Sequence, residues 1–415
     1  MNIRLGYGTG YQTLEVPEKN ILKILEPNPV TGCEDAAAAV RKALAEPAGT
    51  EPLREIVKPG EKIVIITSDI TRPMPTWEVL PHVLDELYEA GVSADDITLV
   101  FALGSHRPHT EEEKRKLAGE RAYREIRCVD SNPADCIHMG ETSRGTPIDI
   151  TRVVAKADRR ICLGNIEYHY FAGYSGGIKA LMPGASTPEA IQVNHSMMVD
   201  ENACAGKLDG NPLREDLEEA ANICHIDFIV NVVLDEHKKI AHAVAGHVRE
   251  AHRRGCEFLD SLYKVDIPAK ADIVIVSQGG APKDLNLYQT QKALDNSKHA
   301  VKEGGTIILV GSCSEGLGQK TFEEWITSAN KPADLIKRIR EDFRLGGHKA
   351  AAIAMVLEKA KIKLVSEMDP GFVKSIFMEP YPDAQTALED ALAEQGEDAS
   401  IIIMPYGGST LPQSV

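Results

Sequence analysis

The chain alternates short apolar runs with stretches whose apolar residues recur every three to four positions. The apolar runs are rich in Ile and Val, which suits strands buried on both faces of a parallel sheet. They predict strands at 62–67, 97–103, 160–163, 228–234, 273–277, 306–310, 362–366 and 400–404. The helical patterns between them include 77–90, 188–198, 212–222, 288–299, 349–360 and 384–394. This alternation predicts an α/β fold with mostly parallel sheets flanked by helices.

The length of 415 residues suggests two domains, since a domain takes roughly 100–200 residues. The strongest linker signal is 265–270, where Pro268 interrupts the pattern before a new strand. We therefore expect domains at 1–266 and 267–415, each with its own sheet. Ligands of open α/β sheets bind beyond the carboxyl ends of the strands. We expect the active site in the cleft between the two domains.

Composition narrows the class of protein. Asp and Glu total 62 against 46 Lys and Arg, a net charge of −16 without any basic run. This balance argues against nucleic acid or an anionic membrane as a partner. No apolar stretch approaches the ~20 residues that span a bilayer, and the first residues do not resemble a signal peptide. The eight cysteines are scattered without a Cys-x-x-Cys pair, which predicts a reducing cytoplasm.

Two polar motifs follow predicted strands directly. The first is Ser-Asp-Ile-Thr-Arg-Pro-Met-Pro at 68–75, where prolines stiffen a loop that carries Asp69 and Arg72. An arginine there suits a carboxylate or phosphate ligand, although a structural Asp–Arg pair would leave the same pattern. The second is Gly-Ser-His-Arg-Pro at 104–108. Its His106 is placed for acid–base chemistry near neutral pH, and a plain surface histidine is the alternative.

The segment 169–179 reads His-Tyr-Phe-Ala-Gly-Tyr-Ser-Gly-Gly-Ile-Lys. Exposed amides of such a glycine turn can cradle a phosphate, but neither a P-loop nor a Gly-x-Gly-x-x-Gly pattern is present. The amine of Lys179 can instead hold a covalent cofactor. A purely structural glycine turn is the alternative, and the density of glycines beside His169 and Lys179 favours a functional one.

Two predicted helices carry further candidates. His195 lies about two turns into the helix that begins near Pro188, and a neutral imidazole is a common metal ligand. Tyr288, Gln289 and Lys292 are spaced to share one face of a helix, which could close over a ligand held by the first domain. A buried or surface histidine and a solvated helix face are the respective alternatives.

Taken together, these motifs resemble the nickel-dependent lactate racemase family over nearly the whole chain. The resemblance rests on Ser-Asp-x-Thr-Arg-Pro-x-Pro, Gly-x-His-Arg-Pro and His-x-Phe-Ala-Gly-x-Ser-Gly-Gly-x-Lys, in that order. It also rests on Asn194-His195, on Asn-Val-Val-Leu-Asp-Glu at 231–236 and on Tyr288-Gln289-x-x-Lys292. Any one motif is weak, whereas all of them in order and at matching spacing are specific.

The resemblance implies a cofactor and a set of roles. The cofactor is a nickel-pincer nucleotide, a pyridinium mononucleotide that binds nickel through two sulfurs and a ring carbon. Lys179 would carry it through a thioamide, and His195 would complete the nickel coordination. His106 and His169 would be the acid–base pair, and Arg72 and Lys292 would hold the substrate carboxylate. Supporting positions for cofactor or substrate are Asp69, Thr71, Ser175, Gly176, Gly177, Tyr288 and Gln289.

The implied activity is racemisation or epimerisation of a 2-hydroxy acid, with lactate as the default substrate. Hydride transfer from the α carbon to the cofactor, through a 2-keto acid, avoids a difficult deprotonation at carbon. His348 aligns loosely with a family tryptophan near the active site, so the resemblance does not determine which side chain the substrate carries. Cofactor-biosynthesis proteins would be needed for maturation, and expression without them should give an apoprotein.

Two other functions remain open from the residues alone. A zinc hydrolase could use His106, His169 and His195 as metal ligands, and it would have no use for Lys179. A non-catalytic module that binds a small anion would leave the two acid–base histidines without a role. Both alternatives leave the 169–179 segment unexplained.

Overall fold

The computed structural model describes residues 1–28, 33, 35–235 and 237–414. Within them the strands are β1 (Asn2–Tyr7), β2 (Gly10–Glu15), β3 (Ile21–Ile24), β4 (Ile63–Ser68), β5 (Ile97–Ala102), β6 (Arg127–Asp130), β7 (Cys136–Glu141), β8 (Pro147–Thr151), β9 (Arg159–Ile166), β10 (Tyr168–His169), β11 (Gly173–Tyr174), β12 (Phe228–Leu234), β13 (Ile240–Gly246), β14 (Lys264–Ile267), β15 (Ala271–Ser277), β16 (Val301–Val310), β17 (Lys361–Val365), β18 (Glu379–Tyr381), β19 (Ile401–Met404) and β20 (Leu411–Ser414).

The α-helices of the same residues lie between these strands. They are α1 (Ala36–Ala45), α2 (Leu53–Ile56), α3 (Thr76–Glu89), α4 (Glu111–Ala118), α5 (Glu120–Glu125), α6 (Arg152–Ala155), α7 (Pro188–Ser196), α8 (Pro212–Ile223), α9 (Glu250–Tyr263), α10 (Leu287–Ser297), α11 (Lys320–Ser328), α12 (Pro332–Glu341), α13 (Gly347–Leu357), α14 (Pro370–Ser375) and α15 (Ala384–Gln395). None of the described helices is long and apolar enough to cross a membrane.

The chain divides into two compact units. We call Val30–Ser261 the N-terminal unit, and Met1–Pro29 together with Leu262–Val415 the C-terminal unit. The predicted division at 266/267 lies close to the later of these boundaries. It differs in assigning the first residues of the chain to the N-terminal domain, whereas the structure groups them with the C-terminal part.

The sheet of the N-terminal unit has the order β13-β12-β9-β4-β5-β6. All neighbours are parallel except β13, which runs antiparallel to β12. The strands form because they are apolar on both faces, as Ile63 and Ile65 of β4 illustrate. Helix α3 covers one face with side chains at helical spacing, among them Val79, Val83 and Leu87.

The sheet of the C-terminal unit has the order β18-β17-β16-β15-β19-β3, and every neighbouring pair is parallel. Strand β3 adds an edge to β19, and the β1–β2 hairpin contributes Ile3, Leu5 and Leu14 to the same core as Ile275 and Ile403. This shared core is the physical reason why the first residues belong with the C-terminal part of the chain.

The predicted fold class is confirmed, because both units contain parallel strands flanked by helices. Each predicted strand overlaps an observed one, from β4 at Ile63–Ser68 to β19 at Ile401–Met404. Hairpin strands such as β7 and β8 were not predicted, because neither is a continuous apolar run like the predicted strands.

Candidate active site

The candidate residues of the N-terminal unit follow three adjacent strands. β9, β4 and β5 lie side by side and in parallel, so their carboxyl ends meet at one edge of the sheet. The backbone joins two of the loops there, since Gly104 N–H donates to Gly184 O at 2.9 Å and Gly184 N–H to Lys179 O at 3.2 Å. A Cβ at Gly184 would lie 2.7 Å from that of Ala102, so glycine permits this close approach.

Asp69 and His106 form a hydrogen-bonded pair at this edge. Nδ1 of half-buried His106 contacts a carboxylate oxygen of buried Asp69. The other oxygen accepts from Thr71 Oγ1 at 2.6 Å and from Thr71 N–H at 2.9 Å. Burial raises the pKa of Asp69, but the hydrogen bonds from His106 and Thr71 outweigh it, so the pKa lies below its usual value. The ionised carboxylate holds the Nδ1 proton and leaves the lone pair of His106 on Nε2.

A second histidine, which the sequence did not single out, fixes the loop that carries Asp69. His109 is buried, and its Nε2 accepts from Ile70 N–H at 3.1 Å. Its Nδ1 lies 2.7 Å from a carboxylate oxygen of Asp130, whose other oxygen accepts from His109 N–H at 3.0 Å. Asp130 thus orients His109, and His109 orients the loop at Ile70. His106 also lines a cavity of about 360 Å³ that Asp130 borders.

The glycine turn before Lys179 is held by the protein itself. Ser175 N–H donates to Glu167 O at 2.9 Å, and Gly177 N–H donates to Asn231 Oδ1 at 2.7 Å. A Cβ at Gly176 would meet Asn231 Oδ1 at 2.7 Å, so the turn needs glycine there. These amides therefore position Lys179 rather than a phosphate. Asn231 is the first residue of the 231–236 motif on which the family resemblance partly rests, and Glu236 of that motif lies outside the described residues.

Lys179 has an unusual environment. Its Nζ is buried and has no hydrogen-bond partner among the described residues, although part of the side chain is accessible. Burial and the nearby charges of Arg72 and Arg214 lower its pKa to about 7. A substantial fraction of the amine is therefore neutral, and nucleophilic, near pH 7.

Arg214 and His252 form a buried layer behind the same turn. Arg214 Nη2 lies 3.0 Å from His252 Nδ1, and His252 Nε2 donates to Ser175 O at 2.8 Å. A Cβ at Gly177 would lie 2.9 Å from the His252 ring. Neither residue was predicted to be functional, since nothing in the local sequence pattern shows that they reach the turn.

His169 and His195 are joined through an aromatic ring. The ring of Phe171 packs edge-on against His169 at 4.4 Å and against His195 at 5.0 Å between centroids. Nδ1 of half-buried His169 accepts from Ala172 N–H at 3.3 Å, so neutral His169 carries its proton on Nε2. Nδ1 of buried His195 lies 3.0 Å from Asn194 Oδ1.

The remaining predicted residues lie in the C-terminal unit. Gln289 and Lys292 are exposed and Tyr288 is half-buried on α10, in agreement with an outward-facing helix face. His348 at the start of α13 is buried, and its Nδ1 accepts from Gly346 N–H at 2.9 Å. The location of the active site in a cleft between the two units stays a prediction.

Lys349 is a C-terminal candidate that the sequence did not single out. Its Nζ donates to Tyr288 O and lies 4.1 Å from the centroid of the Tyr288 ring. Burial, followed by the charge of Lys292, lowers its pKa to about 7. The C-terminal unit therefore has a buried, partly neutral amine of its own, beside the predicted binding face.

Comparisons with known proteins give matches over nearly the whole chain. Residues 7–206 match the model of the lactate racemase N-terminal domain, and residues 267–411 match that of the lactate racemase C-terminal domain. The lactate racemase of Thermoanaerobacterium thermosaccharolyticum is 34% identical over 424 residues, covering 99% of each chain. That of Lactiplantibacillus plantarum is 34% identical over 379 residues, covering 89% of each.

The chain belongs to the lactate racemase family. It is therefore a racemase, an isomerase by reaction class. The lactate racemase apoprotein from T. thermosaccharolyticum superposes with a TM-score of 0.87 over 100% of both chains at 32% identity. A Thermotoga maritima protein gives a TM-score of 0.62 over 91% of this chain and 98% of that one. At 18% identity the second match supports the fold alone.

Family membership and geometry both disfavour the two alternative functions. A non-catalytic module does not fit a racemase family. For the zinc hydrolase, the potential ligand atoms of at least three residues would have to lie close together. In the described part of the chain such atoms lie within 4.8 Å of one another at Glu379, Asp390 and Glu394, where Lys363 already pairs with the carboxylates. The three candidate histidines form no such group.

Proposed function

We propose that this racemase interconverts the enantiomers of a 2-hydroxy acid, with lactate as the first substrate to test. The observation that carries the proposal is the buried amine of Lys179 without a hydrogen-bond partner, beside Arg72 and the loop of the Asp69–His106 pair. An ordinary structural lysine would have a carboxylate or carbonyl partner. Here the amine is kept neutral enough to form a covalent bond.

The residues fit the cofactor that the family resemblance implies. Lys179 would carry the nickel-pincer nucleotide as a thioamide, and His195 would bind the nickel through Nε2. When bound, this group supplies the acceptor that takes the α-hydrogen as a hydride and returns it to either face. The turn from Ser175 to Gly177 sets the position of the lysine. Cofactor-biosynthesis proteins are the proposed maturation partners, and the cytoplasm is the proposed location.

The two acid–base histidines are not equivalent in this structure. His106 presents its lone pair on Nε2 because Asp69 holds its Nδ1 proton, so it is ready to take the hydroxyl proton as a general base. His169 presents a proton on Nε2, which suits a hydrogen bond to the substrate oxygen. To act as a base for the other enantiomer, His169 must give up the hydrogen bond from Ala172.

Substrate binding divides between the two units in our proposal. Arg72 would bind the carboxylate bidentately, with Lys292 as a second cation. Thr71 supports the same loop, and Gln289 supports the cofactor or substrate. Tyr288 and His348 would contact the substrate side chain, so a polar side chain larger than methyl remains within the proposed range.

Racemisation of 2-deuterated 2-hydroxy acids in ordinary water tests the proposal. Protein loaded in cofactor-competent cells is incubated with a panel beginning with lactate, and enantiomers are separated by chiral chromatography. We expect inversion with the deuterium retained at the α carbon, because a hydride does not exchange with solvent. Loss of deuterium into water would contradict hydride transfer, and no inversion of any member would contradict the activity.

A further inference from the structure

Asn194, the residue before the candidate nickel ligand, has its side-chain amide fixed on both sides. It is fully buried near the end of α7. Its Nδ2 donates to Asp216 Oδ2 at 2.7 Å and to Leu213 O at 3.2 Å. With both amide protons directed to acceptors, the oxygen is the atom that faces His195, at 3.0 Å from Nδ1.

Asp216 on α8 is buried within a set of donors that keep it in place. Thr146 Oγ1 donates to Asp216 Oδ2 at 2.7 Å, and Thr142 Oγ1 donates to Oδ1. Thr146 N–H donates to Thr142 Oγ1 at 3.0 Å, which directs the Thr142 hydroxyl proton towards the carboxylate. An ionised carboxylate accepts only, so it requires the NH₂ side of Asn194 rather than the oxygen.

The reversed amide is excluded by the same contacts. Turning the Asn194 amide over would place its oxygen against Asp216 Oδ2 and Leu213 O, so that acceptors would face acceptors. It would also leave two buried acceptors without this donor, which is costly inside a protein. The amide orientation therefore follows from Asp216.

We propose that Asp216 and Asn194 are positioning residues that hold His195 in the tautomer with its proton on Nδ1. An acceptor-only oxygen at Nδ1 forces that proton to stay there, and the lone pair then lies on Nε2. Phe171 packs edge-on against the imidazole and limits its rotation. That this Nε2 lone pair binds nickel rests on the proposed function. The tautomer itself does not depend on that function. Partners of this kind orient the histidine ligands of many metal sites.

Long-range proton–nitrogen NMR of the full-length apoprotein tests the tautomer. The protein is labelled with ¹⁵N-histidine, studied where the imidazole is neutral, and assigned with His195→Gln. We expect a protonated Nδ1 and an unprotonated Nε2 in the unmodified chain. A protonated Nε2 there would overturn the proposal without any need for a variant.

Two variants test the residues themselves. Asn194→Leu removes the acceptor at similar volume, and Asp216→Asn removes the carboxylate; we expect both to shift His195 towards the Nε2-protonated tautomer that free imidazole prefers. Glu215→Gln, the same kind of change one position earlier on α8, should leave it unaltered. A folded Asn194→Leu protein that keeps the wild-type tautomer would overturn the role of Asn194.

Nickel retention separates this inference from the proposed function. In protein loaded by cofactor-competent cells, Asn194→Leu should hold nickel against a chelator roughly 10–100-fold less well than Glu215→Gln. Equal retention would overturn the step from tautomer to metal binding. If the wild-type chain gains no cofactor but shows the expected tautomer, the proposed function fails and the positioning of His195 stands.

Discussion

The two units carry their candidate residues in different environments. In the N-terminal unit, buried Asp69 and Asn194 contact His106 and His195, while burial and nearby charges lower the pKa of Lys179. In the C-terminal unit, Gln289 and Lys292 are exposed on one helix. Reacting groups need fixed geometry and tuned protonation, whereas groups that only contact a substrate can change at little cost to the fold. We therefore expect the N-terminal unit to set the chemistry and the C-terminal unit to adjust the substrate range.

Each unit also contains one buried lysine with a pKa near 7. Lys179 has no hydrogen-bond partner among the described residues, whereas Lys349 donates to Tyr288 O and lies over its ring. A lowered pKa alone therefore does not single out the proposed cofactor tether; Lys179 differs from Lys349 in having no hydrogen-bond partner among the described residues.

The largest expected effect comes from removing the tether. Lys179→Ala should reduce racemisation to the uncatalysed background, because it removes the amine that we propose as the cofactor tether. Lys349→Met should keep measurable turnover when both proteins are prepared in the same cells and assayed by chiral chromatography. Equal loss in the two variants would break the distinction between the lysines.

The next effect concerns the Asp69–His106 pair. His106→Ala should lower kcat by ~10²–10⁴-fold, the usual contribution of a general base. Asp69→Asn keeps the imidazole but loses the charge that fixes its Nδ1 proton, so kcat should fall by roughly 10–100-fold. Steady-state kinetics with each enantiomer as the substrate would measure kcat and KM of both variants. A change confined to KM would argue that the pair binds substrate and does no proton chemistry.

How far the sequence could predict these features depends on the range of the contacts. The loops of Asp69, His106 and Lys179 were predictable because each follows an apolar run, and ends of parallel strands meet at one edge. The bond between Asn194 and Asp216 was not, because it joins residues 22 positions apart on two helices. Lys349 begins a helical pattern that an exposed lysine would fit equally well, and its burial depends on packing. The place of the first residues of the chain depends on the pairing of the edge strand β3 with β19, which lies far away in sequence.

A smaller effect is expected on substrate affinity. Arg72→Ala should raise KM by about 10–100-fold, because a hydrogen bond between charged groups contributes ~1.5–3 kcal/mol. Lys292→Ala should raise KM by roughly 2–5-fold, in the range of an exposed ion pair. Initial rates measured over a wide range of substrate concentrations would give the KM of both variants. If Lys292→Ala raised KM more than Arg72→Ala did, Lys292 rather than Arg72 would be the main cation that binds the carboxylate.

A separate effect, on the fold rather than on catalysis, is the change of the free energy of unfolding with pH. The folded pKa of Lys349, about 7, lies below that of the unfolded chain, about 10.4. Between these values the unfolded state binds more protons, so this lysine makes the free energy of unfolding rise with pH. Lys349→Met should flatten the rise between pH 7 and pH 9 in denaturant unfolding. An identical pH dependence in both proteins would mean that Lys349 stays charged in the folded state.

Intact-mass analysis of Lys179 tests the central claim most directly. The wild-type chain, Lys179→Ala and Lys349→Met are produced in cells that make the cofactor, and the free cofactor in each extract is measured as a check on its supply. The account predicts a covalent mass increase in the wild type and in Lys349→Met, mapped to the peptide of Lys179, and none in Lys179→Ala. An unmodified wild-type mass from cells whose extract contains the cofactor would contradict it.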